Sequence, residues 1–117
     1  GDMIRDFTFI DDIVEGTIRV IDHTPDAEKC DHNVPYRIYN IGCSQPVRLM
    51  DFINEIEQAL GKTAVKNYLP MQKGDVYQTN ADTTRLETEL GYHPQTSLHD
   101  GIQEFIKWYV SEENPLR

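Results

Sequence analysis

Arg5-Asp6-Phe7-Thr8-Phe9-Ile10-Asp11-Asp12-Ile13-Val14-Glu15-Gly16 (RDFTFIDDIVEG) changes its hydrophobic period midway. Arg5–Ile10 reads as an extended entry, with Phe7 and Phe9 on one side and Thr8 on the other. A helix is expected to start at Asp11 or Asp12, because Asp12 followed by Glu15 has the spacing of a capping box. Ile13, Val14, Thr17, Ile18 and Ile21 would then form its apolar face. A strong cation on an extended run beside a helix start is an arrangement that can hold an anion. No catalytic or cofactor-binding motif precedes it, so the stretch reads as the opening of the back half of something larger.

The rest of the chain is read outward from that start. Asp22–Pro35 is polar and contains Pro25 and Pro35, which makes it a surface loop. Tyr36–Ile41 (YRIYNI) alternates, is rich in β-formers and reads as the clearest strand, ended by Gly42. A second helix is expected from about Leu49, with Leu49, Phe52, Ile53, Ile56 and Leu60 buried and Gly61 as its stop. Val65–Leu69 reads as a short strand and Val76–Ala81 as a short extended piece. Asp82 is read as the cap of a third helix that runs through Leu90 to Gly91. Ser97 caps the last helix, with Leu98, Ile102, Phe105, Ile106 and Tyr109 on its core face and Trp108 also assigned to the core. The fold class expected is a small mixed α/β domain of about four helices and three short strands. Few strands are available to flank YRIYNI, and an uncovered strand is an association hazard. That shortage suits a fragment whose missing half supplied neighbours.

At 117 residues the chain has room for one domain with one modest core. No apolar run approaches the roughly 18–20 residues that span a bilayer, and the first residues do not form a signal peptide. The net charge is −9 and no Lys/Arg run occurs, which argues against nucleic acid and membrane as partners. Two cysteines, Cys30 and Cys43, are too few for a disulfide framework and read as reduced thiols, giving a cytoplasmic expectation. Cys30 and His32 lack a second ligand pair at metal-binding spacing, so no metal site is assigned.

Four stretches together resemble one family: RDFTFIDDIVEG, YRIYNIGCSQPVRLMDFI, LPMQKGDVYQTNAD and LGYHPQTSLHDGIQEFIKWY. Their order and spacing are similar to the carboxy-terminal part of extended short-chain dehydrogenase/reductases acting on nucleotide sugars, nearest to the UDP-glucuronate 4-epimerase branch. The resemblance covers essentially residues 1–117 and implies a substrate-binding domain. It also implies NAD as cofactor of the whole enzyme, bound on a Rossmann domain outside this chain. Neither a GxxGxxG fingerprint nor a Tyr followed four residues later by Lys is present here, so catalysis by this chain alone is not expected and no catalytic residue is assigned. In such an enzyme NAD takes hydride from C4 of the sugar. The 4-keto intermediate turns over, and hydride returns to the opposite face.

Three residues carry the resemblance to a binding site. Arg5 matches the family's diphosphate-contacting arginine, a role suited to a guanidinium fork. The plainer reading is a surface ion pair with Asp6, Asp11 or Asp12. Asp75, in Gln72-Lys73-Gly74-Asp75, matches the acidic residue that holds the ribose, since a carboxylate accepts from both hydroxyls of a vicinal diol. The plainer reading is a turn aspartate beside a glycine. Gln72 stands where related epimerases place a phosphate-contacting base; being neutral it can only hydrogen-bond, and Lys73 is the nearby cation. Asp11 and Asp12 are read as helix capping. The expected ligand is a UDP-sugar. A dehydratase or decarboxylase of the same superfamily is the alternative chemistry, and a stand-alone binding module the alternative class. Self-association through the YRIYNI edge or by helix exchange is also expected of the isolated domain.

Overall fold

The computed structural model describes residues 1–116. Four helices carry most of the order: α1 (Ile10–Ile21), α2 (Leu49–Leu60), α3 (Thr84–Leu90) and α4 (Leu98–Val110). Two short strands, β1 (Ile4–Arg5) and β2 (Val47–Arg48), pair antiparallel, with Ile4 opposite Arg48 and Arg5 opposite Val47. On its other edge β1 forms a parallel bridge to Gln78, through Ile4 N–H to the Tyr77 carbonyl at 3.0 Å and Thr79 N–H to the Ile4 carbonyl at 3.2 Å. The Val76–Ala81 expectation is thus met by a single bridge. Two 3-10 turns, Ala27–Lys29 and Asp31–Asn33, punctuate the loop after α1.

Helix ends obey local chemistry in three places. Ser97 accepts from Asp100 N–H at 3.1 Å, while Gly61 and Gly91 take the left-handed conformation (φ 62° and 64°) that closes α2 and α3. At the start of α3 the Asp82 carboxylate accepts from Thr84 N–H at 3.1 Å, and the Thr84 side chain, then this N–H, hold its pKa below the ordinary value. Two further bonds tie distant segments. Phe7 stacks on Phe52 of α2 with ring centroids 3.9 Å apart, and α2 packs against α4.

Other expectations change. α1 begins at Ile10 with Phe9 as its cap residue and no side-chain capping bond, so the Asp12–Glu15 capping box does not form. Asp12 is instead buried and accepts from Gln95 N–H (3.0 Å) and Thr96 N–H (3.1 Å), eighty-odd residues away. Burying a carboxylate is costly unless it is hydrogen-bonded, and those two donors answer that cost better than local capping would. α1 therefore turns Asp12 and Gly16 inward, leaving Val14, Ile18 and Ile21 of the expected core face exposed. At Gly16 the chain passes so close to Ile41 and Tyr92 that a Cβ would lie 2.9 Å from Ile41 Cγ2.

Tyr36–Ile41 is not a strand; among the described residues it pairs with no other strand, because none is placed beside it. Val65–Leu69 is likewise outside any strand. On α4, Ile102 and Ile106 are buried with Gly101, whereas Phe105, Trp108 and Tyr109 stand at the surface in a ring cluster.

The most enclosed group is Tyr92, fully buried, whose hydroxyl donates to the Gly42 carbonyl at 3.0 Å. Burial, and then the Asp12 carboxylate, push its pKa up to about 12, against about 10 unfolded. Folding favours the protonated phenol, so this contribution is complete below pH about 10 and is lost as pH rises towards 12. The stability difference between the wild type and Tyr92→Phe in urea unfolding should therefore shrink between pH 9 and about 12. A difference independent of pH would contradict it.

Candidate functional site

Arg5 leaves β1 with its guanidinium held on two sides. Nη1 donates to the carbonyls of Ile4 (2.9 Å) and Tyr77 (3.0 Å), and Nη2 donates to Asp75 Oδ1 at 2.8 Å. Asp75 closes a turn in which its N–H donates to the Gln72 carbonyl at 3.2 Å, and its Oδ1 also accepts from Val76 N–H at 2.9 Å. Gly74 makes this turn possible: its φ of 92° is strained for any side chain. The fold thus brings together two sequence-predicted site residues seventy positions apart. The plainer reading of Arg5 is met with a different partner, since its carboxylate is Asp75 rather than Asp6, Asp11 or Asp12.

The ion pair is partly open, with side chains 19% and 39% exposed. A pair so exposed is worth about 0.2–1 kcal/mol. Such a contact fixes geometry at small cost and yields readily to a stronger anion. Gln72 lies on the same turn, exposed, and among the described residues its amide makes no hydrogen bond. Lys73 is beside it, exposed and without an ion pair among the described residues. The arrangement offers one forked cation, one carboxylate and one amide on an open face, a set suited to a phosphorylated diol.

A residue that the sequence reading left out holds this face in place. The Asp6 carboxylate accepts Ser44 N–H (3.0 Å) and Ala81 N–H (2.9 Å) on Oδ2 and Gln45 N–H (3.3 Å) on Oδ1. Asp6 N–H donates to Thr79 Oγ1 at 3.1 Å. Ser44, at φ 55°, donates its hydroxyl to the Ala81 carbonyl and lies 3.1 Å from Thr83 Oγ1, which in turn bonds Glu87. Gly42 meets this knot so closely that a Cβ would sit 2.4 Å from the Ala81 Cβ. Cys43 is buried here, and burial, then Asp6 and Asp12, raise its thiol pKa. Sequence signals for this hub were weak, because its donors are backbone groups of two segments, Ser44–Gln45 and Ala81, far from Asp6 in the chain.

The glycine-rich turn into a helix that seats a dinucleotide's pyrophosphate is not formed among the described residues. Pyrophosphate binding needs backbone room at a helix amino terminus. Here α1, α2 and α4 start behind Phe9, Arg48 and Ser97, and the glycines at positive φ end helices or sit in the Gln72–Asp75 turn.

No family model matches the chain. It is 48% identical over 118 residues to an uncharacterized 37.6 kDa protein of Escherichia coli O111:H-, covering 93% of this chain and 35% of that one. It is 40% identical to a probable UDP-glucuronate 4-epimerase of Rhizobium meliloti (strain 1021), again over 93% and 35%. Its fold superposes with TM-score 0.74 and 34% identity on the UDP-glucuronic acid 4-epimerase of Bacillus cereus solved with UDP-glucuronic acid and NAD, covering 93% of this chain and 33% of that one. The chain spans about a third of the length of the relatives it matches, in their carboxy-terminal part. The class these matches define is that of NAD-dependent UDP-sugar epimerases of the short-chain dehydrogenase/reductase family, and the chain is similar to that part of them. Its relatives include UDP-sugar epimerases, the UDP-glucuronate 4-epimerases among them.

Removing the Asp6 carboxylate strands three backbone donors at once. Asp6→Ala should lower unfolding stability by about 2–4 kcal/mol, with amide exchange quickened first at Ser44, Gln45 and Ala81. Loss of less than half a kcal/mol would remove Asp6 from this role.

Proposed function

We propose that this chain is the substrate-binding part of a UDP-glucuronate 4-epimerase-like enzyme, gripping the nucleotide diphosphate while the catalytic step belongs to the remainder of such an enzyme. The observation that carries the reading is the meeting of Arg5 and Asp75 across the chain at 2.8 Å. A diphosphate would take the guanidinium fork from Asp75. The carboxylate thus released would be free to accept the ribose hydroxyls, with Gln72 adding an amide beside the phosphates. Epimerisation at C4 needs the sugar to turn within the site while the nucleotide stays fixed. Binding energy is therefore best placed on the diphosphate and ribose, away from the reacting carbon. NAD would sit on the part of the relatives that this chain does not span, where it would supply the hydride acceptor and donor.

A nucleotide-sugar dehydratase or decarboxylase would use the same grip. No observation favours it here, and the Rhizobium and Arabidopsis relatives are epimerases by name.

The test uses residues 1–117 joined to the amino-terminal two-thirds of the Rhizobium meliloti relative. Arg5→Ala should weaken UDP-glucuronate binding at least tenfold by calorimetry, which is about 1.4 kcal/mol; unchanged affinity would exclude the diphosphate role. Asp75→Asn addresses the ribose separately. Competition by UDP and by dUDP should differ in the parent fusion and converge in the variant; an undiminished preference would exclude the ribose role.

A further inference from the structure

A cavity of about 330 Å³ lies between the loop that follows α1 and the end of α3, with His23, Asp26, Lys29, Arg37, Tyr39 and Glu89 among its lining. Arg5, Gln72 and Asp75 take no part in it. One wall is the loop, where Asp26 accepts from Glu28 N–H at 3.1 Å to start the first 3-10 turn and Cys30 is buried between the two turns. The other wall is the Arg37–Tyr39 segment, which α3 holds by two bonds. The Tyr39 hydroxyl donates to Glu89 Oε2 at 2.8 Å, and Arg85 Nη1 donates to the Ile38 carbonyl at 3.3 Å.

The two carboxylates of the cavity are already answered. Glu89 takes the Tyr39 hydroxyl on Oε2 and has Arg37 Nη2 3.5 Å from Oε1. Asp26 takes Glu28 N–H on Oδ1 and has Lys29 Nζ 3.5 Å from Oδ2. The cations are not answered in the same way. A charge-assisted hydrogen bond runs at about 2.7–2.9 Å, so Arg37 and Lys29, at 3.5 Å, meet their carboxylates as charges and keep their donors. Arg37 is the sharper case, because its side chain is only 24% exposed and among the described residues its guanidinium makes no hydrogen bond. The guanidinium groups of Arg5, Arg19 and Arg85 each donate to a backbone carbonyl. Covering a cation with five N–H donors is costly unless water or a ligand takes them.

We infer that this cavity is a second anion site, which takes the phosphoryl group of a small phosphate monoester on Arg37, with Lys29 and His23 as further donors. Three donors spread over two walls suit a phosphoryl group, with its three acceptor oxygens, better than a carboxylate with two. Arg37 can keep its Nη2 contact with Glu89 and present its remaining N–H groups to the ligand. Small-molecule sites begin at about 300 Å³, so this cavity suits a monoester the size of glycerol phosphate and not a nucleotide sugar. A dianion seated there would join the loop to the segment that α3 holds. The inference does not rest on the nucleotide grip at Arg5 and Asp75, and the two fail separately.

The experiment titrates the isotope-labelled chain with glycerol phosphate, with inorganic phosphate and, at matched ionic strength, with sodium chloride, following the backbone amides. Glycerol phosphate should move the amides of residues 23–30 and 37–39 saturably, with a dissociation constant of about 1 mM or below. Arg37→Gln should weaken this about tenfold, and Arg5→Ala should leave it unchanged. Glu89→Gln removes the competing charge beside Arg37 while its amide oxygen can still accept from Tyr39. It should tighten binding about threefold, a gain that loss of folding cannot imitate. Equal shifts in sodium chloride would reduce the response to ionic strength. Binding indifferent to Arg37→Gln, or abolished by Arg5→Ala, would place the anion elsewhere. A Glu89→Gln chain that binds no more tightly, or inorganic phosphate that binds as tightly as the monoester, would deny the cavity its stated ligand. Each of these results overturns the inference.

Discussion

The carboxylate of Asp6 is the point at which three stretches of backbone are held together. Its oxygens collect N–H groups from Ser44, Gln45 and Ala81, and its own N–H reaches Thr79. Backbone donors in loops have no ladder to satisfy them, so a single anion that accepts several can replace the sheet this fold otherwise lacks. With two strands of two residues each, regular pairing contributes little to the placement of the Val76–Ala81 segment. Asp6 and the bridge at Ile4 set that segment, and the segment sets Asp75 opposite Arg5.

Asp12 repeats the device one helical start later. It fastens α1 to the Gln95–Thr96 entry of α4, much as Asp6 fastens β1 to its neighbours. The two aspartates flank Phe7 and Phe9, which pack on Phe52 and on Gly101, so one short stretch of sequence supplies both the polar ties and the apolar wedge. Arg5, Asp6 and Asp12 consequently divide labour: Arg5 is the residue proposed to meet the nucleotide, and the two aspartates hold the frame that presents it. The proposed grip on a nucleotide diphosphate depends on that division. An arginine on an unsupported loop would lose more conformational entropy on binding.

The surface is unevenly finished. Around Tyr92, Leu86 and Thr83 the packing is closed, while the outer stripe of α1 and the aromatic cluster of α4 are open. A domain that relied on its own core alone would be expected to turn these groups inward. Their exposure leaves an apolar surface apart from the face that carries Arg5 and Asp75.

Several features were legible from the sequence because their causes are local. The four helices, the glycine stops at Gly61 and Gly91, the Ser97 cap and the mixed α/β class follow from period, propensity and end chemistry within a few residues. The resemblance that pointed to Arg5, Asp75 and Gln72 also lies in the linear order of motifs. Only the tertiary structure decided which way α1 faces, since Asp12 could cap locally or reach Gln95 and Thr96, and the long-range bonds satisfy a buried carboxylate that capping would leave in water. It likewise decided that YRIYNI, β-prone by composition, pairs with nothing among the described residues, because a strand exists only where a second strand is placed beside it. Sequence named the residues of the candidate site; the meeting of Arg5 with Asp75 needed the chain to fold back on itself through Asp6.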